Sequence, residues 1–337
     1  MNRAQVTRLC ALYDLGEPLT EAQMVTGGQL HRLWHLTTTR GSFAVKQLNA
    51  AIMRKPGIQH EYRISEYIAQ SMSKQGISAI AALDSVDGPL QEIDGIFLLV
   101  YPWIDGEILP SMPVEPDRAL QIGVILAHIH TLSLHIPGVA PLEWQHFHND
   151  DWDILTFQAA EAGLSWAYPV RAALPLLLEW TQSYEDAGEK LMQCLVISHR
   201  DLDQKNVLWQ SPTAPMIVDW EAAGLINPTM ELVSVALSWS GLATGVLKKD
   251  IVTTLVNGYI QAGGTIQNTG LDALHGLLGT WLGWLLFNMR RSLGESITSE
   301  EERQLGIDET VNTLAILRSL ATHLETWATW IDEWRLL

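Results

Sequence analysis

The stretch Ser198–Asp219, reading S-H-R-D-L-D-Q-K-N-V-L-W-Q-S-P-T-A-P-M-I-V-D, constrains this chain more than any other. Asp201 and Asn206 lie five positions apart in a polar loop. Val207-Leu208-Trp209, a turn at Ser211-Pro212 and a short apolar run, Met216-Ile217-Val218, lead on to Asp219. These residue types suit phosphoryl transfer. One carboxylate orients a hydroxyl and accepts its proton, while a second carboxylate and an amide oxygen hold Mg²⁺ against the phosphates. The segment supplies all three within nineteen residues. Asp and Asn are also common in loops, and His199 taken alone reads equally as a satisfied core histidine. The succession of loop, strand, turn and strand ending in Asp is what carries the reading.

H-R-D-L-D-Q-K-N-V-L-W followed by I-V-D-W-E resembles the aminoglycoside phosphotransferase and choline kinase group, and contains the H-R-D-x-x-x-x-N pattern of a kinase catalytic loop. The resemblance is firmest over 198–237 and reaches more loosely to Lys46, Glu61 and the stretch around Tyr101. It implies an α+β, protein-kinase-like two-lobed fold, with a small N-terminal lobe built on an antiparallel sheet and a larger, mainly helical C-terminal lobe. The expected lobes are 1–104, with a hinge near 100–104, and 105–337. It also implies that Asp201 is the base and that Asn206 and Asp219 hold Mg²⁺, with ATP or GTP as donor.

Composition narrows the function classes. The 337 residues are 47% hydrophobic and 18% charged, enough apolar material for a sizeable core. The formal net charge of −17 argues against nucleic acid and anionic membranes as partners and favours cationic ligands. Cys10 and Cys194 are the only cysteines, which fits a reducing, cytoplasmic compartment. Arg3, Arg8 and Asp14 precede any long apolar run, so no signal peptide is expected. Ala273–Phe287 is too short for a membrane span and reads as a buried helix.

In chain order, Arg3–Leu15 has helical spacing with Val6, Leu9, Cys10 and Tyr13 on one side. Gln23–Val25 and Leu33–Thr38 read as strands joined through Thr26-Gly27-Gly28-Gln29. Gly27 and Gly28 would let the backbone approach a nucleotide phosphate, or simply make a hairpin. Phe43–Leu48 is a third strand whose Ala-Val-Lys resembles the kinase strand bearing the phosphate-binding lysine, here Lys46. A helix over about Gln59–Ser73 offers Glu61 as the partner of Lys46, with Glu66 in reserve. Ile77–Ala82 and Phe97–Tyr101 are expected to complete the sheet. The resemblance makes the backbone at Val100, Tyr101 and Trp103 the nucleobase contact.

Arg118–Leu134 reads as a helix bearing His128 and His130, which lie two apart and so face opposite sides rather than one metal. Asn149-Asp150-Asp151-Trp152-Asp153 is an acidic cluster around a Trp. Such runs are usually solvated faces, but the resembling family builds its acceptor site from helices in this part, which makes Asp150, Asp151 and Asp153 substrate candidates. After Asp219 the chain reaches Asn227-Pro228 and a helix, Met230–Ser240, at once, with no long loop on which a peptide substrate would lie. Kinases often place a γ-phosphate lysine two residues after the catalytic Asp. That position is Asp203 here, and Lys205 lies two further on. The rest is expected to be helical over 250–263, 271–293, 299–305 and 308–335.

These readings converge on transfer of a γ-phosphoryl group to a hydroxyl of a small cationic or polyhydroxylated molecule, an aminoglycoside or similar antibiotic being favoured, by a monomer or dimer. A kinase of a cellular metabolite such as choline, a sugar or homoserine stands beside it. A silent nucleotide-binding pseudokinase is the weaker rival, because Lys46, Asp201, Asn206 and Asp219 are all present.

Overall fold

The computed structural model describes residues 1–25, 31–297 and 299–335. Gly27 and Gly28 therefore lie outside the described residues. In chain order the elements are α1 (Arg3–Leu12), β1 (Gln23–Val25), β2 (Arg32–Thr38), β3 (Gly41–Gln47), α2 (Ala50–Met53), α3 (Ile58–Lys74), β4 (Gln91–Ile93), β5 (Ile96–Pro102), β6 (Glu107–Ile108), α4 (Pro116–Thr131), α5 (Asn149–Glu161), α6 (Ala167–Leu191), β7 (Val196–Ser198), β8 (Val207–Trp209), β9 (Pro215–Ile217), β10 (Gly224–Ile226), α7 (Pro228–Trp239), α8 (Lys249–Gln261), α9 (Gly270–Ser292) and α10 (Glu300–Arg335), with short 3₁₀ turns between some of them. The chain divides into two compact units. Unit 1 holds 1–109, 134–139 and 199–224, and unit 2 holds 110–133, 140–198 and 225–337.

Unit 1 is built on an antiparallel five-stranded sheet in the order β1-β2-β3-β5-β4. The period-2 alternation of strands sorts its residues onto two faces. Leu36, Val45, Leu98 and Val100 point to one face, where they form a core with Val6, Leu9, Cys10 and Tyr13 of α1 and the residues around it. This is the helical stripe expected from sequence. A capping box between Asn2 and Gln5 closes the start of α1. Leu99 lies on the other face and packs with Leu48, Met53 and Tyr62 of α3. Each fully buried aliphatic side chain here contributes about 1.5–3 kcal/mol.

Residues 77–82 do not form a sheet strand. They make a single bridge, Ala79 to Ile217, supported by Ile80 N–H to Ile217 O at 2.8 Å and Ile217 N–H to Ser78 O at 2.7 Å. The outer strand is β4 instead, joined to β5 through Asp94 (φ 52°) and Gly95 (φ 77°). The Asp-Gly pair is a hairpin signal that marked this strand in the sequence. The β6-β8-β9 ladder completes the unit. The bridge to Ile217 ties segment 199–224 to the N-terminal residues within unit 1.

Unit 2 is helical but for short strands. α4 and α8 approach at Gly123 and Gly258, where any Cβ would collide with the Leu255 and Leu120 carbonyls respectively. α10 runs unbroken for 36 residues through Gly306, where two helices, 299–305 and 308–335, were expected. A Cβ at Gly306 would meet Ser292 N of α9 at 2.8 Å, so this glycine serves close packing and not a break. His130 is buried between Glu231 Oε2 (2.8 Å) and the Tyr259 hydroxyl (2.9 Å), a structural bond network, while His128 is exposed. Among the described residues no helix is long and apolar enough to cross a membrane.

Candidate active site

The candidate residues of unit 1 converge from three elements. β3 carries Lys46 on the sheet face opposite the α1 core. The β8–β9 hairpin, with Val207 opposite Ile217, sets Asn206 just before one strand and Asp219 just after the other. The Val218 N–H donates to Asn206 O at 3.0 Å and fastens the two together.

His199 holds the loop. The Asp201 N–H donates to its Nδ1 at 3.2 Å, which leaves Nε2 to carry the proton and donate to Val218 O at 3.0 Å. His199 also meets Trp220 edge-on at 4.7 Å. It is the satisfied core histidine of the two readings open from sequence, and it aims the loop without facing a substrate. Arg200 and Asp219, on either side, have left-handed backbones (φ 67° and 62°), conformations that a non-glycine residue adopts at a cost.

Asn206 donates through Nδ2 to Asp201 O (2.8 Å) and Asp201 Oδ2 (2.9 Å). That commits the amide nitrogen and leaves Oδ1 as its acceptor. Lys205 Nζ lies 3.2 Å from Asp201 Oδ2 and 2.9 Å from Asp203 Oδ2. Burial raises the Asp201 carboxyl above its ordinary value; the Lys205 ammonium opposes this and Asp203 adds to it.

Lys46 is the main departure from expectation. Its Nζ pairs with Asp219 Oδ1 at 2.7 Å and with Glu221 Oε2 at 2.6 Å. Burial alone would depress the ammonium, but these two carboxylates carry it above its ordinary range. Burial pushes Glu221 the other way, yet Lys46 and His31 together hold its carboxyl well below the usual range. His31 Nε2 is 3.1 Å from Glu221 and 2.8 Å from the Tyr62 hydroxyl, and its Nδ1 accepts the Asn49 N–H at 3.0 Å.

Glu61, the expected partner, is exposed, and no ion pair joins it to Lys46 among the described residues. Glu61 lies in the first turn of α3 and is exposed there, although Ser65, Ile68 and Met72, further along the same side of the helix, are buried. Glu66 is buried but engaged elsewhere. It accepts from the Tyr101 hydroxyl at 2.5 Å and from the Ala82 N–H at 2.7 Å. Burial raises its carboxyl to about 7, these two hydrogen bonds and Lys46 working against the rise. Neither His31 nor Glu221 was found from sequence. Glu221 had a signal, an acid two positions after Asp219; His31 had none.

The backbone at Val100, Tyr101 and Trp103, expected to meet the nucleobase, is in part engaged within the sheet. The Trp103 N–H donates to Ser42 O at 3.0 Å, and Val100 O accepts from the Leu83 N–H at 2.7 Å. Those groups are occupied, and Tyr101 is paired to Ala44 across the ladder. Antiparallel alternation turns the Pro102 carbonyl away from β3. On the Lys46 face, His35 stands directly opposite Ala44, and its ring lies 4.0 Å from that of Trp103. Its Nε2 is buried without a hydrogen-bond partner.

A divalent cation fits the oxygen donors at 206 and 219. The Asp219 carboxylate and the free Asn206 Oδ1 are hard ligands of the kind that hold Mg²⁺ together with phosphate oxygens. Among the described residues no cluster of three or more His, Cys, Asp or Glu could hold a metal by itself.

In unit 2, Asp150, Asp151 and Asp153 begin α5. Asp150 and Asp153 are exposed, whereas Asp151 pairs with Arg290 at 3.1 Å. Trp152 is fully buried, its ring 6.0 Å from that of Phe147, and so offers no ring face to a ligand.

With this geometry in view, comparison with known proteins defines the class: a kinase-like fold carrying a phosphotransferase site. Residues 21–277 match the phosphotransferase enzyme family, and the chain belongs to that family. Spectinomycin phosphotransferase APH(9)-Ia, in complex with ADP and spectinomycin, is similar at a TM-score of 0.71 and 14% identity, over 95% of this chain and 99% of that one. Amicoumacin kinase in complex with AMP-PNP, Ca²⁺ and Ami is similar at 0.63 and 12%, over 94% of each chain. Choline kinase from Cryptosporidium parvum Iowa II is similar at 0.59 and 10%, over 100% of each. The fold is the α+β protein-kinase-like one, and the enzyme class is phosphotransfer to an alcohol group.

Proposed function

We propose that this chain transfers the γ-phosphoryl group of a nucleoside triphosphate to a hydroxyl of a small cationic or polyhydroxylated molecule, an aminoglycoside or similar antibiotic. The observation that carries it is the Asp201–Asn206 pair fastened to the strand end that bears Asp219, with Lys46 on that same carboxylate.

In this reading Asp201 orients the acceptor hydroxyl and takes its proton through Oδ1, because Oδ2 already accepts from Asn206. Lys46, steadied by Glu221, binds the α/β-phosphates. Asn206 Oδ1 and Asp219 hold Mg²⁺, which neutralises phosphate charge when bound. The Pro102 carbonyl faces the nucleobase. Asp150 and Asp153 attract a cationic acceptor.

The antibiotic acceptor is supported by the relatives in complex with spectinomycin and Ami. A metabolite acceptor is the second reading. The choline kinase, matched over the whole of both chains, and an ethanolamine kinase from Plasmodium vivax favour it. The test is a transfer assay with labelled ATP or GTP and Mg²⁺ over aminoglycosides, other antibiotics and amino-alcohols. Transfer to one of these is expected. No transfer to any of them, together with no Mg²⁺-dependent nucleotide binding, would overturn the proposal.

A further inference from the structure

Lys205 stands beside the carboxylate of Asp201. Its Nζ is 3.2 Å from Asp201 Oδ2 and 3.5 Å from Asp201 Oδ1. A hydroxyl that gives its proton to Asp201 lies within about 2.6–3.2 Å of that carboxylate. The phosphorus it attacks lies about 3–3.5 Å further on. These short steps bring the phosphoryl oxygens within reach of a four-carbon lysine arm anchored beside the base.

The arm is held ready. Asp203 Oδ1 accepts the Lys205 backbone N–H at 3.1 Å and caps the turn Gln204–Asn206. Asp203 Oδ2 holds the ammonium at 2.9 Å. The side chain of Lys205 is 55% exposed, against 44% for Asp201 and 27% for Asp203. The cation therefore stands on the solvent side of the two acids. The two carboxylates without it would leave a doubly negative pocket facing an incoming anionic group. In the proposed function Lys46, which pairs with Asp219 and Glu221, serves the α/β-phosphates, so the charge that develops beside Asp201 needs a cation of its own.

We infer that Lys205 is a catalytic residue that binds the transferring phosphoryl oxygens in the transition state, an inference that rests on the proposed function. In the step itself the acceptor oxygen forms a bond to the γ-phosphorus while the bond from phosphorus to the β–γ bridging oxygen breaks. The bridging electron pair leaves on the nucleoside diphosphate, and the hydroxyl proton passes to Asp201. Lys205 neither gains nor loses a proton. It leaves Asp203 for the equatorial oxygens as their charge grows, an interaction stronger in the transition state than before it.

The test compares two probes by calorimetry on wild type, Lys205→Met and Lys205→Arg: Mg·AMP-PNP for the ground state, and Mg·ADP with fluoroaluminate for the transition state. Lys205→Met is expected to bind AMP-PNP as wild type does, which also verifies its fold. It is expected to lose about 10²-fold in fluoroaluminate affinity, in line with removal of one transition-state donor, with Lys205→Arg recovering most of it. Equal loss, or no loss, with both probes would overturn the role of Lys205 and leave the phosphotransferase reading standing. Failure of wild type to bind either probe would overturn that reading, and this inference with it.

Discussion

The Lys46 ammonium and the Glu221 carboxylate stand 2.6 Å apart although 175 residues separate them in the chain. Both are mostly buried, at 12% and 25% side-chain exposure. This pair, and not a pairing with Glu61, fixes the lysine in unit 1. A double-mutant cycle tests it. Lys46→Met and Glu221→Gln should show a coupling of about 1–3 kcal/mol in urea unfolding, as contacting charges do. Lys46→Met and Glu61→Gln should be additive. Coupling at Glu61 and none at Glu221 would reverse the assignment.

Removing the base should separate chemistry from binding. Asp201→Asn is expected to slow phosphoryl transfer by about 10²–10⁴-fold and to leave nucleotide affinity near that of wild type. Steady-state kinetics beside nucleotide titration measures both. Wild-type turnover in the folded variant would remove Asp201 from the role.

Asp219 should act on the metal-dependent part of nucleotide binding. With Asp219→Ala, adding Mg²⁺ should no longer tighten nucleotide binding as it does for wild type, because the carboxylate that would join protein to cation is gone. An unchanged Mg²⁺ effect would rule this out. Lys46 keeps Glu221 as a partner in the variant, so Mg²⁺-free binding is the internal control.

The motif stretch was legible because its contacts are local: His199, Asp201 and Asn206 bond one another across two to five residues. The partner of Lys46 was not legible, because Glu221 lies 175 residues away in the chain and only the fold brings the two together. Trp152 sits in an acidic run beside exposed Asp153, and such a run does not show from sequence that the ring points into the core. Strand β4 was missed because Gln-Glu-Ile lacks an apolar run, although its Asp94-Gly95 turn was in view.

Glu66 should leave a pH signature. Its carboxyl is raised from 4.5 to about 7 in the folded protein, so between these values the native state holds a proton that the unfolded chain has released. The stability this group contributes is full below about pH 4.5 and is lost as pH rises through about 7. The loss amounts to at most about 3 kcal/mol at 1.36 kcal/mol per unit. Urea unfolding across pH 4.5–7.5 should show this slope in wild type and not in Glu66→Gln. Parallel curves would contradict the assignment.

The acids of α5 should divide. Neutralising Asp150 and Asp153 together should raise the KM of a cationic acceptor, more at low salt than at high, since exposed charges are screened, with the nucleotide KM unchanged. Asp151→Asn should instead lower thermal stability by loosening Arg290. An acceptor KM indifferent to the Asp150/Asp153 pair would mark α5 as a solvated face.

Asp219 occupies a left-handed backbone position, φ 62° and ψ 62°, that an aspartate holds at a cost of roughly 1–2 kcal/mol and a glycine holds freely. If Asp219 serves phosphoryl transfer as proposed, stability and activity pull this one position in opposite directions. Under selection for phosphoryl transfer the strain is tolerated. In a descendant released from that selection, glycine at 219 would be among the first substitutions to be rewarded. The residue that follows the I-V pair is thus a mark by which silenced copies of this chain can be told from working ones.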